Sequence, residues 1–504
     1  MNPQIFGAGL NGRNRVVSTQ RRLNYYYGWD QPGTPAQGPD RGPWAIYDRP
    51  PLTQKIYLGA NRIRGLFRFS SSLWVVQGSK FIEVLPNYTY TERGTLNTKD
   101  GRVTMDAIQG VTGFQIGICD GTNFYIFNVT TSTFTVVAGA PALTSITAGH
   151  SYFIGSVANS GKWNVSALGD GASWPGLSFT TADADPDNLV AVRHYGDTLY
   201  LFGERSTEFW GFSGVGSPPW QRISQNAVSF GLASAASIAP FGDGLMVLAQ
   251  SAAGEGGRGE VSVYSVQGNQ FQRVSHPDLE HIINGYSDAF QAEGCSWSIN
   301  GHLQYRLFFP SSKVSWMYDA ATQLWSEESA FGGVSAAPSG FGPHRGATAS
   351  GFNSVVVFGD YADGSLWAAE PRKATYADQL TKIGGQDQPI ERELVGRHLY
   401  EDGNRMQILA ALELDCNSGD GIDASPTQLP QIMLSLSRDK GRTWGKERLR
   451  TLGAVGQYRT RVRWQNLGRA RDIVVKIRVT DPVRCTITGE VLVPGSSSSR
   501  SGAV

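Results

Sequence analysis

Charge is scarce in this chain. Asp, Glu, Lys and Arg make up 17% of its 504 residues and sum to a formal +1, so the molecule as a whole is no electrostatic glove for nucleic acid, and any basic surface has to be local. Cysteine is scarcer still. Cys119, Cys295, Cys416 and Cys485 lie far apart with no C-x-x-C spacing, which implies neither a disulfide framework nor a zinc site and reads as reduced, mostly buried thiols of a protein made in a cytosol. Nowhere are there about 18 successive apolar residues, and MNPQIFGAGLNGRNRVV at the start has no apolar core of signal-peptide length before Arg13 and Arg15. The chain is expected to fold in the cytosol and stay soluble, with no membrane anchoring.

Glycine (61), proline (24) and aromatic residues (11%) are plentiful instead, a balance that favours short strands joined by tight turns over long solvated helices. β-Branched and aromatic runs recur between Gly/Asn/Asp turns, among them SSLWVVQGSKFIEV (71–84), FQIGICDGTNFYIFNV (114–129), GDTLYLFGERSTEFWGF (196–212) and SVVVFGDYADGSLWAAE (354–370). Each reads as a hairpin. The spacing between apolar strands, about 40 to 60 residues, is close to that of propeller blades, and a four-stranded blade cannot bury both faces unless others stack around an axis with it. The expected fold is therefore all-β: a propeller of six or seven blades over about 61–375, with an antiparallel platform domain over 376–493, where MQILAALELD (406–415), QIMLSLS (431–437), YRTRVRWQ (458–465) and DIVVKIRV (472–479) alternate. Residues 1–60 are too few for their own core and are expected to pack on that platform. PGSSSSRSGAV (494–504) reads as a disordered tail. SAAGEGGRGE (251–260) and HPDLEHIINGYSD (276–288) read as insertions projecting from one face.

Several motifs invite chemical readings. SRDKGRTW (437–444) matches the Ser-x-Asp-x-Gly-x-Thr-Trp box of sialidase blades, but the spacing is explained by a turn: Ser437 and Asp439 bond backbone groups, Gly441 takes a conformation other residues resist, Thr443 completes the box and Trp444 packs beneath. A shortened cousin is GDGASW (169–174). A sialidase site would also need an arginine cluster, a Tyr–Glu nucleophile pair and a separate acid, and no such constellation emerges, so no catalytic residues are assigned. GAGLNG (7–12) fits G-x-G-x-x-G by letter without the strand before or helix after that dinucleotide binding needs. HPDLEH (276–281) offers two imidazoles without any ligand spacing and reads as a polar loop. No cofactor or metal is expected. The stretch 438–484 carries fourteen basic against four acidic residues. Within it, Arg459, Arg461 and Arg463 alternate with Tyr458, Thr460, Val462 and Trp464, which places the three arginines on one strand face as a candidate subunit or adaptor interface, favoured over a nucleic-acid contact.

Two long stretches carry a resemblance. WNVSALGDGASWPGLSFTTADADPDNLVAVRHYGDTLYLFGERSTEFWGF (163–212) is similar to the signature of the packaged-DNA stabilisation proteins, the tail nozzles of short-tailed bacteriophages, and SRDKGRTWGKERLRTLGAVGQYRTRVRWQNLGRARDIVVKIRVTDPV (437–483) resembles their C-terminal region. QRRLNYYY (20–27) resembles their N-terminal strand. The resemblance implies a structural virion protein made in the host cytoplasm: a homo-hexameric tube below the portal and adaptor rings, with tail fibres or spikes nearby, that retains packaged double-stranded DNA and passes it without sequence specificity. Such a conduit has to let DNA slide, so its lumen is expected to be mixed or acidic and the 438–484 cations to face other subunits or the adaptor. The competing expectations are a sialidase-like glycosidase and a glycan-binding tail component using exposed aromatics such as Trp210, Trp220 or Trp316.

Overall fold

The computed structural model describes residues 5–6, 18–29, 44–182, 184–185, 187–223, 227–251, 259–331, 341–371, 377–379, 388–400, 405–422 and 428–494. Seven antiparallel units make up the propeller among these residues. The second strand of each unit, such as Ser72–Gln77 or Val355–Asp360, is buried along nearly its whole length, whereas outer strands such as Tyr90–Thr95 and Thr133–Val136 are exposed. That gradient is what stacked blades produce: a neighbour covers each face of the middle strands, so their sequences read as unbroken apolar runs.

The blades follow the chain in order. Blade 1 begins with Ile63–Phe69, blade 2 with Thr104–Gly110, blade 3 with Leu143–Gly149 and blade 4 with Leu189–Tyr195. The inner strand of blade 5 is interrupted, Phe230–Leu232 and Ala239–Phe241 both pairing with Gly244–Ser251. Blade 6 begins with Glu293–Ile299 and blade 7 with Gly346–Phe352. Side chains stitch adjacent inner strands together: Thr104 Oγ1 accepts from the Ile146 amide at 3.0 Å, Asp106 from Ala148 at 2.8 Å, and Ser145 Oγ from Val192 at 3.1 Å.

The ring is closed by a strand from the other end of the chain. Leu52–Tyr57 lies antiparallel to Ser365–Ala369 as the fourth strand of blade 7, so this part of the 1–60 segment belongs to the propeller and not to the platform. Its burial alternates, as expected of an outer strand covered on one side. Across the axis, Arg102, leading into blade 2, reaches blades 6 and 7: its guanidinium bonds Glu293 at 3.1 Å and the carbonyl of Ala347 at 3.3 Å, and Arg62 joins the same carboxylate at 2.6 Å. One end of the propeller axis is thereby crossed by side chains.

The C-terminal part is a two-sheet sandwich. One sheet orders Arg21–Leu23, Arg392–Val395, Asp472–Val479, Gln431–Ser437 and Arg448–Thr451; the other orders Tyr25–Trp29, Trp44–Asp48, Ile487–Pro494, Gln407–Cys416 and Val462–Ala470. Trp464, Leu412, Ile432, Leu434, Ile473 and Ile477 fill the space between them, and Ile5 and Phe6 dock into the same core. Arg21–Leu23 also pairs in parallel with Leu324–Phe331, the outer strand of blade 6, so one hydrogen-bonded sheet runs from the propeller into the sandwich.

Two expectations shift. HPDLEH is not a loop: Pro277–Asn284 is a helix, with His276 as N-cap and Leu279 and Ile283 buried, because proline at the first helical position fits where no amide partner is needed. The strand expected over 458–465 begins only at Val462. GAGLNG, residues 252–258 of the first insertion and residues 495–504 of the tail lie outside the described residues.

Candidate interface site

The octet 437–444 forms the turn after Gln431–Ser437 in the sandwich. Ser437 Oγ donates to Asp439 at 2.7 Å and accepts the Gly441 amide at 2.9 Å; Asp439 also accepts the amides of Arg442 at 3.1 Å and Thr443 at 2.9 Å and the Thr443 hydroxyl at 2.5 Å. Those donors, the Thr443 hydroxyl first, hold the Asp439 carboxyl well below the usual carboxylate range. Gly441 has φ +76°, and a Cβ there would come within 2.6 Å of Thr19. The Lys476 ammonium sits 4.5 Å from the Trp444 ring centre. The Ser437, Asp439 and Thr443 side chains are thus engaged in shaping the turn, and GDGASW repeats the device in blade 3, where Asp170 accepts the Ala172 amide at 2.9 Å.

Part of the basic stretch lies along one open side of the sandwich. Arg448–Thr451 ends one sheet and Val462–Ala470 ends the other, and the carbonyls of the latter edge are taken by guanidinium groups: Arg448 bonds those of Gln465 and Asn466 at 3.3 and 3.0 Å, Arg450 that of Arg463 at 2.7 Å, and Arg438 that of Leu467 at 2.9 Å. Arginines stand where a further strand would donate, which blunts an edge that otherwise invites pairing with another chain. A carbonyl does not neutralise a cation, so this side stays positive.

The three predicted arginines do not share a strand face. Arg459 is exposed in the turn before the strand, Arg461 precedes it and Arg463 lies within it. The last two converge on Glu413 of the neighbouring strand, Arg461 Nε at 2.7 Å and Arg463 Nε at 3.8 Å. Others of the stretch are also matched within the chain: Arg478 pairs with Glu391 at 3.1 Å and Glu447 at 2.8 Å, and Lys476 with Glu393 at 3.8 Å. Part of the local excess therefore serves the sandwich itself, while Arg448 and Arg450 lie along the open edge with the exposed Arg459 in the turn beside it.

A buried polar junction, missed at the sequence level, fixes the sandwich to the propeller. Arg49 and Asp378, both almost fully buried, form a two-pronged pair at 3.0 and 2.5 Å. Arg49 Nε further donates to Asn24 Oδ1 at 3.1 Å and to the Ser329 carbonyl at 3.2 Å, while Asp378 accepts the Leu52 amide at 2.9 Å. Arg392 meets Asp48 at 3.1 Å, and Asp48, whose carboxyl is pushed up by burial, also accepts the Cys485 amide at 2.7 Å. These residues come from chain positions hundreds of residues apart, and only the Asp and Arg letters themselves were visible beforehand.

Comparison with known proteins decides the family. Residues 53–370 match the family model described as "Bacteriophage P22 Gp10, beta-propeller", and residues 391–493 match "Bacteriophage P22 Gp10, beta-sandwich". The chain belongs to the bacteriophage P22 Gp10 family. It is a phage structural tail protein, a virion component with a propeller and a C-terminal sandwich. The matched propeller begins at the closing strand. No curated protein matches the sequence. Among solved structures, similar folds include the extracellular domain of the one-component system BT4673 from B. thetaiotaomicron (9% identity, TM-score 0.41, 69% of this chain and 45% of that one), Kuenenia stuttgartiensis hydrazine synthase (10%, 0.41, 62% and 97%) and an ancestral GH74 enzyme (8%, 0.40, 70% and 51%). The chain spans less than half of the first of these.

The P22 Gp10-type propeller gives the glycan readings little to use. Trp210, Trp220 and Trp316 are all buried, packed within blades and not displayed as sugar platforms. A cleft of about 700 Å³ opens where blades 1, 6 and 7 meet, lined by Arg68, Ile299, Phe352, Val356 and Glu370 among others. Its carboxylate is engaged by Lys55 and by the Thr53 hydroxyl. Among the described residues no group of three or more His, Cys, Asp or Glu is placed to hold a metal.

Proposed function

We propose that the chain is the nozzle subunit of a short phage tail, assembling into a ring, six copies in the expected form, whose bore retains the packaged genome and conducts it at ejection. Membership of the P22 Gp10 family supports this, and the observation that carries it furthest is the crossed axis. With Arg62 and Arg102 meeting Glu293 across the inner strands, a duplex has no passage through a single propeller, so a conduit has to form between copies. The chain's near-zero net charge suits such a bore, because unpaired lysines and arginines would hold phosphates by releasing roughly one counterion for each phosphate they neutralise. In this reading the ring hangs beneath the portal and adaptor, with fibres or spikes attached alongside.

The test is to purify particles, label them with an antibody against this chain and image them by electron microscopy, measuring the mass of the isolated protein in parallel. A ring at the tail tip, with particles lacking the chain losing their DNA to nuclease, is the expected result. Finding the protein only in infected-cell lysate and not in particles overturns the proposal.

A further inference from the structure

In each of blades 1 to 6 the turn between the first and second strands and the turn between the third and fourth project from the same face of the propeller. On blades 2 to 5 these turns occupy 110–113, 129–132, 149–152, 166–172, 196–198, 212–219, 242–244 and 268–270, and they hold three aspartates, Asp170, Asp197 and Asp243, with neither lysine nor arginine. They join into one crest. The Val111 amide bonds the Gly169 carbonyl at 3.1 Å, the Gly169 amide bonds Ser151 at 2.8 Å, His150 stacks on Phe212 at 3.9 Å, and the Tyr195 hydroxyl bonds the Gly242 carbonyl at 2.6 Å. Apolar side chains stand out along it: Val111 is 86% exposed, Val215 73% and Leu168 61%.

The sandwich edge is the complement. Leu449 and Tyr458 are exposed there among Arg448, Arg450 and Arg459. The rest of the chain, outside 438–484, holds thirty basic and thirty-nine acidic residues, so the cationic edge has its counter-charge elsewhere on the molecule. The continuous sheet fixes the sandwich to blade 6, and the crest lies on blades 2 to 5 with its apolar tips uncovered.

The geometry points to a head-to-tail contact between copies: the cationic sandwich edge of one chain seats on the cation-free crest of the next. An apolar centre ringed by opposite charges gives both burial and register, and a contact joining two different patches closes into a ring when its rotation allows. This rests on the reading of the chain as a ring-forming subunit and names the surfaces that form the ring.

A charge swap tests it. Arg450→Glu/Arg459→Glu and Asp197→Lys/Asp243→Lys are each expected to raise the concentration needed for ring assembly by roughly tenfold or more. An equal mixture of the two variants, and a single chain carrying all four substitutions, are expected to recover assembly. If the wild type is a monomer alone in solution, the same chains are scored by incorporation into particles of a phage lacking the wild-type copy. Undiminished assembly of both double variants, or no recovery on mixing, overturns the contact. A wild-type chain absent from particles fails the nozzle reading itself.

Discussion

Replacing Arg49 by methionine is the sharpest probe of how the propeller and sandwich are held together. The guanidinium is about as buried as any group in the molecule and forms both bonds of the pair with Asp378 as well as those to Asn24 and Ser329. Its removal strands the Asp378 carboxylate in the interior, a loss of about 3 to 5 kcal/mol. Asp378→Leu strands the cation in turn and is expected to cost a similar amount, plus about 1 to 3 kcal/mol for the Leu52 amide left without its acceptor. The double variant removes both charges, so it is expected to fall well short of the sum of the single losses, with a coupling of at least about 2 kcal/mol. Urea unfolding followed by tryptophan fluorescence reads this as midpoint shifts, and each single variant is expected to split one transition into separate sandwich and propeller steps. Single losses below about 1 kcal/mol that simply add would refute the view that this pair holds the junction.

Glu490 is half-buried with its carboxylate accepting the amides of Ile5 and Phe6, and the loss of solvent around it pushes its carboxyl up to about 7. The folded chain therefore holds a proton that the unfolded chain has released by about pH 5, so this group's stability contribution is complete below its ordinary range near 4.5 and is lost as pH rises through 7. Glu490→Gln is expected to flatten stability between pH 5 and 8, read as unfolding midpoint against pH; an unchanged slope counts against the assignment. Gly441→Ala meets both the positive φ and the approach of Thr19, and a loss of about 1 to 2 kcal/mol in thermal unfolding is expected; no loss would show that the turn yields. Burial pushes the Cys119 and Cys295 thiols up to about 12 and about 11, so in the native protein a thiol reagent at pH 8 is expected to modify the half-exposed Cys416 first, located by peptide mapping. Prior modification of Cys119 or Cys295 would contradict the packing.

The blades were legible because strands such as SLWVVQ and FYIFN are covered on both faces and so carry unbroken apolar runs between turn residues. What escaped was non-local. LTQKIY looks like any half-exposed strand, and nothing in its letters says that its partner, Ser365–Ala369, comes some three hundred residues later. The regular arginine alternation suggested one strand face, but Gly453 and Gly456, both at positive φ, keep the chain turning until Val462. His276 followed by Pro277 was a readable helix start, outweighed by the polar letters around it. Of the candidate interface, the local charge excess was visible in sequence. Its division between internal partners such as Glu413 and Glu391 and an exposed edge depended on which strands lie side by side.

The closing strand also sets a timetable for synthesis. Leu52–Tyr57 leaves the ribosome long before Ser365–Ala369 exists, and at about 5 to 20 residues per second the wait is roughly 15 to 60 seconds. During that interval the nascent toroid is an open horseshoe with a bare flank on blade 1, the situation in which unfinished β-chains stick to one another. Ribosome-stalled chains ending before residue 365 are expected to need a chaperone's shelter, and the full-length product to shed it once the final blade locks.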